Sequence, residues 1–204
     1  MRVFVLTTGR AGSVTFSEAC RHASNYSVGH ETRIGAIRDR LEYPDNHIEV
    51  DNRLAWFLGS LSKRYPDAFY VHLTRGDKDV VRSYSRRHHE PDAGRPSIRT
   101  AIATTRRVRR IPTSIVSGFL HGVLFRMEPW TPEDLEEGSA LMVHTINDNI
   151  SEFLRDKPHI NVALESATTH FSEFWRRIGA SGNLDRALAE FSTRHNESQP
   201  STTS

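Results

Sequence analysis

A chain of 204 residues, 37% hydrophobic and 25% charged, can bury one sizeable core. Its 27 Lys and Arg against 25 Asp and Glu leave a net charge of +2, too small to point to nucleic acid yet compatible with an anionic ligand. The single cysteine, Cys20, excludes an internal disulfide framework and favours a reducing compartment. Phe16, Ala19 and Ala23 share its helical face, which marks it as a core residue. No run is long and apolar enough to span a bilayer, and Val3–Leu6 leads into Gly9 and Arg10 without the order of a signal peptide. A cytoplasmic chain is expected.

Val3-Phe4-Val5-Leu6 reads as a buried strand, followed by the small-residue loop Thr7-Thr8-Gly9-Arg10-Ala11-Gly12-Ser13. A helix then carries Phe16, Ala19, Cys20 and Ala23 at helical spacing and stops near Asn25. Tyr26–Gly29 is a second strand, ending in His30-Glu31. A polar helix is predicted over Ile34–Tyr43, closed by the turn Pro44-Asp45-Asn46. Ile48–Val50 is extended. Leu54, Phe57, Leu58 and Leu61 form an amphipathic stripe after a cap at Asp51 or Asn52.

Ala68–Leu73 is the strongest strand, apolar enough for the interior of a parallel sheet. A helix follows Arg75, with Val80, Val81 and Tyr84 on one face. His88–Pro112 turns polar, with an arginine cluster from Arg99 to Arg110. It reads as a mobile insertion or an irregular helix within a variable stretch, 88–127; the arginine cluster reads as a solvated loop first and an anion-facing lid second, and lacks aromatic residues for base stacking. His88-His89-Glu90 reads as exposed polar loop. Ile115–Met127 is a buried helix. Thr131-Pro132-Glu133-Asp134 starts another, reaching Leu154. Ile160–Glu165 is a late strand. Phe171–Ile178 and Leu184–Phe191 are closing helices, and the tail 197–204 is expected to be disordered. Residues 1–196 are expected to form a single domain. Trp56, Trp130 and Trp175 are expected in the core, with Trp130, beside the variable stretch, also placed to line a pocket.

Alternating strands and helices predict an α/β three-layer sandwich, a central parallel sheet flanked by helices. Ligands in such sheets bind beyond the carboxyl ends of the strands. That rim collects Gly9–Ser13, His30-Glu31 and Arg75–Asp79. The loop after the first strand makes an anion cradle: Gly9 and Gly12 permit close approach, Arg10 offers a forked cation, and the Ser13 and Thr15 hydroxyls donate. A cation at Arg75 and a hydroxyl at Ser83 could share a second anion.

Arg10-Ala11-Gly12-Ser13-Val14-Thr15 and Arg75-Gly76-Asp77-Lys78-Asp79-Val80-Val81-Arg82-Ser83-Tyr84 resemble the two nucleotide motifs of sulfotransferases that use 3′-phosphoadenosine 5′-phosphosulfate (PAPS). Tyr65-Pro66-Asp67-Ala68 is similar to that family's lead-in to the central strand. Val162–Glu165 and Arg194-His195-Asn196 are similar, more weakly, to its closing elements. The resemblance implies a P-loop-type loop holding the 5′-phosphosulfate with Thr8, Gly9, Arg10, Ala11, Gly12, Ser13, Val14 and Thr15. It implies Arg75 and Ser83 on the 3′-phosphate, and 3′-phosphoadenosine 5′-phosphate as product.

Ala11 and Val14 lack hydroxyls common in that family. Arg10 replaces its usual lysine, which argues for electrostatic stabilisation of the leaving phosphate over proton donation. A nucleotide kinase would carry a lysine after Gly12, and a dinucleotide-binding protein would carry Gly-x-Gly-x-x-Gly; neither is present.

The expected activity is in-line transfer of a sulfuryl group to a hydroxyl or amine acceptor, a small molecule, carbohydrate or glycolipid, with no metal. Several bacterial carbohydrate sulfotransferases carry a glutamate at the end of the second strand, so Glu31 is the expected base and His30 its rival. Glu49 and Asp51 follow if the second strand is misplaced. The alternative is a catalytically inactive nucleotide-binding protein of the same fold. An RNA-binding protein using the arginine cluster is a distant third.

Overall fold

The computed structural model describes residues 1–89, 115–126 and 129–192. The Arg99–Arg110 cluster, Arg194-His195-Asn196, the tail and most of the expected insertion lie outside the described residues. The chain forms two compact units: Met1–Arg75 with the chain from Ile146 onward, and Gly76–Thr145.

The first unit is built on a sheet of five strands, all parallel. They are β1 (Arg2–Leu6), β2 (Ser27–His30), β3 (His47–Val50), β4 (Phe69–Thr74) and β5 (His159–Ala163). Their spatial order is β2-β3-β1-β4-β5. β1 and β4 lie inside the sheet, which is why both read as nearly continuous apolar runs.

Alternation sends Val3, Val5, Val71 and Leu73 to one face. There they pack with Phe16, Cys20, Phe171, Phe174 and Trp175 from α1 (Ser13–Cys20) and a later helix, Ala167–Arg177. On the other face Phe4 meets the rings of Tyr43, Tyr65 and Tyr70, with centroids 5.4, 5.4 and 6.0 Å away. Helices therefore flank a parallel sheet, as the alternation of elements predicts.

The α1 pattern ends sooner than Asn25, because the chain turns at Arg21 and bonds across to the segment between the last two helices: Ser24 N–H donates to Ser181 O at 2.7 Å. The stripe Leu54–Leu61 is not one helix. It breaks at Phe57 into a 3₁₀ turn, Asn52–Trp56, and α2 (Leu58–Arg64). Asp51 caps the first piece by accepting from Arg53 N–H at 2.8 Å.

The predicted helix over Ile34–Tyr43 is absent. Residues 31–46 form a strap of turns anchored by polar contacts rather than an apolar stripe. Gly35 adopts φ +87, Arg33 pairs with Asp39 at 2.7 Å, and Ile37 is 92% exposed.

In the second unit, α3 (Asp77–His89) carries His88 and His89 within its last turn, where a loop was expected. α4 (Ile115–Gly122) lies against α5 (Pro132–Leu154): a Cβ at Gly138 would come 2.5 Å from Leu120 Cδ2. The expected helix start at Thr131 is a reciprocal cap. Asp134 N–H donates to Thr131 Oγ1 at 3.0 Å, and Thr131 N–H donates to Asp134 Oδ2 at 2.8 Å. α5 continues past the unit boundary into the first unit, where α6 (Ala167–Arg177) and α7 (Leu184–Ala189) complete it.

Candidate functional site

The crossover from β1 leads outward past β3 to β2, whereas the one from β4 leads the other way, to β5. The two loops diverge between β1 and β4, and a crevice opens at such a switch point. The loop after β1 and Arg75 after β4 both stand there.

Leu6 hands the chain to Thr7 and Thr8, both buried. Thr8 Oγ1 donates to Gly9 O at 3.0 Å. Gly9, Arg10 and Gly12 adopt φ of 81, 58 and 85. Arg10 accepts a left-handed backbone that costs an ordinary residue of order 1 kcal/mol. Ala11 is fully buried and anchors the loop from beneath. Gly12 is doubly constrained, by its φ and because a Cβ would come 2.6 Å from Leu164 Cδ1.

Gly12 caps α1 without a side chain. The first-turn amides at Ser13, Val14 and Thr15 thus have no side-chain cap, and the helix dipole adds positive potential. Arg75 Nη1 reaches the Arg10 carbonyl at 3.5 Å, a long contact that brings the β4 cation to this loop. Ser83 lies half-buried on α3, in the second unit.

His30 and Glu31 end β2 on the same rim, and their side chains diverge. His30 Nε2 stands 3.2 Å from Ser13 Oγ, at the start of α1. Glu31 has φ 53, and its carboxylate lies 3.1 Å from Arg53 Nη1. Arg53 escaped the sequence reading. It sits one residue inside a turn whose Asp51 cap was expected, and only the fold brings it beside Glu31.

Glu49 on β3 and Asp51 just after it, the reserve candidates, are wholly buried. Glu49 accepts from Thr32 N–H, Thr32 Oγ1 and His47 Nε2 at 2.8, 2.7 and 3.0 Å. Asp51 is held by Arg40 Nη2 at 2.6 Å, and burial raises its carboxyl above the usual value despite the Arg53 amide and Arg40 guanidinium. Both carboxylates anchor the strap 31–46. The signal for this was polar His47, Glu49 and Asp51 alternating with apolar Ile48 and Val50, three polar groups on one strand face.

Cys20 is buried as expected, and burial pushes its thiol well above the ordinary value. Trp175 is buried, but Trp56 is 49% exposed, so its apolar neighbours do not place it in the core. Trp130 Nε1 donates to Arg126 O at 3.1 Å. No helix among the described residues is long and apolar enough to cross a membrane.

Comparison with known proteins finds no family model and no curated protein that matches the chain. What bears on function is the geometry itself: a loop with left-handed Gly9, Arg10 and Gly12, the Arg75 guanidinium at the Arg10 carbonyl, and His30 and Glu31 along the rim.

Proposed function

We propose that the chain transfers a sulfuryl group from PAPS to a hydroxyl or amine acceptor. The observation that carries this reading is the Arg75 guanidinium reaching the Arg10 carbonyl across the β1–β4 switch point. The two stretches that resemble nucleotide motifs begin at those two arginines. Neither motif is specific alone; a strand-end cation brought to the glycine loop supports a ligand with two anionic groups.

In this reading Arg10 and the first-turn amides of α1 hold the 5′-phosphosulfate and stabilise charge on the leaving phosphate. Arg75 takes the 3′-phosphate. Glu31 accepts the acceptor proton, with Arg53 fixing the carboxylate; His30, against Ser13, stands on the sulfate side. The acceptor is a small molecule, carbohydrate or glycolipid.

Thermal shift with 3′-phosphoadenosine 5′-phosphate, ATP and a short RNA tests the ligand. The expected result is stabilisation by the first alone, lost in Arg75→Ala; no response to it overturns the reading. Transfer of radiolabelled sulfate from PAPS across an acceptor panel then separates an enzyme from an inactive binder. For the base, Glu31→Gln is expected to keep nucleotide binding and lose about 10²–10⁴-fold in turnover. Unchanged turnover in Glu31→Gln with loss in His30→Gln would transfer the role to His30.

A further inference from the structure

Ser27 opens β2 and His47 opens β3, and the parallel register sets them side by side at the amino ends of these strands. Ser27 Oγ lies 2.8 Å from His47 Nδ1, and His47 Nε2 lies 3.0 Å from Glu49 Oε2. Glu49 is fully buried and fixed on its other side by the Thr32 amide and hydroxyl. A carboxylate only accepts, so Nε2 carries the ring proton and Nδ1 presents its lone pair to the Ser27 hydroxyl. Tyr43 stacks on the imidazole, centroids 5.7 Å apart at 15°, which holds the ring plane. His47 is only 8% exposed, whereas Ser27 is exposed. Ser27 Oγ also lies 3.3 Å from Asn46 O, a longer contact than that to His47.

β2 is the outermost strand. Ser27 N–H donates inward to Asn46 O at 2.9 Å, and Glu31 N–H inward to Val50 O at 3.0 Å. The alternation of a parallel ladder therefore turns the Val28 N–H to the open edge, beside Ser27.

We propose that Ser27, His47 and Glu49 form a nucleophile, base and orienting carboxylate acting on small activated acyl or phosphonyl esters at this edge. A hydroxyl within reach of a base that a third group orients is the signature of an activated nucleophile. The imidazole runs opposite to the usual serine-hydrolase sense, with Nδ1 on the nucleophile. Ser27 Oγ bonds to the carbonyl carbon while its proton passes to His47 Nδ1. The Val28 N–H faces the developing oxyanion. The leaving alcohol departs with that proton, and water then cleaves the acyl-serine by the same route, releasing the acid. A fluorophosphonate stops after the first half, losing fluoride and leaving a stable phosphonyl-serine. This site is separate from the carboxyl rim, and its test does not involve PAPS.

The full chain is treated with a biotinylated fluorophosphonate and the modified peptide mapped by mass spectrometry, with p-nitrophenyl acetate hydrolysis in parallel. The expected label falls on Ser27, is lost in Ser27→Ala, and forms about 100-fold more slowly in His47→Gln. Ser27→Cys provides a readout of the base alone. Cys20 is buried with its thiol pushed up, so iodoacetamide acting on the folded variant reads position 27. The rate is expected to fall when His47→Gln is added to Ser27→Cys. A Ser27 that stays unlabelled in the folded protein overturns the proposal, as does an iodoacetamide rate indifferent to His47.

Discussion

Gly29 shows how one missing side chain secures a buried charge. A Cβ there would come 2.1 Å from Glu49 Oε2 and 2.7 Å from Thr32 Cγ2, so the carboxylate occupies the space a methyl group would fill. Gly29→Ala must push Glu49 off Thr32 without releasing it to water. The expected loss is about 1–3 kcal/mol, read from urea unfolding.

Asp51 makes a different residue-scale prediction. Burial holds its folded carboxyl above the ordinary 3.8, so the folded state binds this proton more tightly than the unfolded state. The group's contribution is full below the unfolded value and is lost as pH rises through the folded one. Asp51→Asn does not titrate there. Its stability relative to wild type is therefore expected to improve as pH rises from about 4, and a difference that stays flat with pH contradicts the assignment.

At the scale of elements, the strap 31–46 is where the sequence pattern misleads. Ile34–Tyr43 carries helix-compatible spacing, but a helix face is useful only against an apolar surface. β3 presents Glu49 and Asp51 there, and buried carboxylates require donors. The chain meets them with Thr32 and Arg40 by folding into turns, which leaves Ile37 in solvent. Arg40→Met keeps the bulk but removes the partner of Asp51, and a loss of about 3–5 kcal/mol is expected in denaturant unfolding. A much smaller loss means the strap does not depend on that pair. The broken stripe at Leu54–Leu61 has a related cause: the Asp51 cap starts a tight 3₁₀ turn, and Phe57 ends it before α2 begins.

At the scale of the whole molecule, the strand order does what no single motif could. Placing β1 between β3 and β4 brings Arg75, at the end of β4, against the loop that follows β1. A ligand bound there stabilises the folded state by mass action. At a hundredfold excess over its dissociation constant the gain is about 2.7 kcal/mol, which is about 5–10 °C in Tm for a chain of this size. A shift of that size from 3′-phosphoadenosine 5′-phosphate, lost in Arg75→Ala, is the outcome expected of the proposed site.

Periodicity and local chemistry made much of this legible from residues alone. Continuous apolarity marks β1 and β4 as interior strands, threonine and aspartate around Pro132 mark the start of α5, and two glycines around Arg10 mark the loop after β1. Each of these depends on neighbours within a few positions. What depended on contacts distant in sequence was not legible. Glu31 and Arg53 are 22 positions apart, Ser27 and His47 are 20, and Gly12 and Leu164 are 152. The order of five parallel strands brings the first two pairs together, and the closing segment after β5 supplies Leu164. Sequence by itself determined which segments are strand, loop or helix wherever burial follows a simple period. Only the tertiary structure decided which polar groups are buried and therefore paired, because the cost of burying a charge is set by partners that local sequence does not contain.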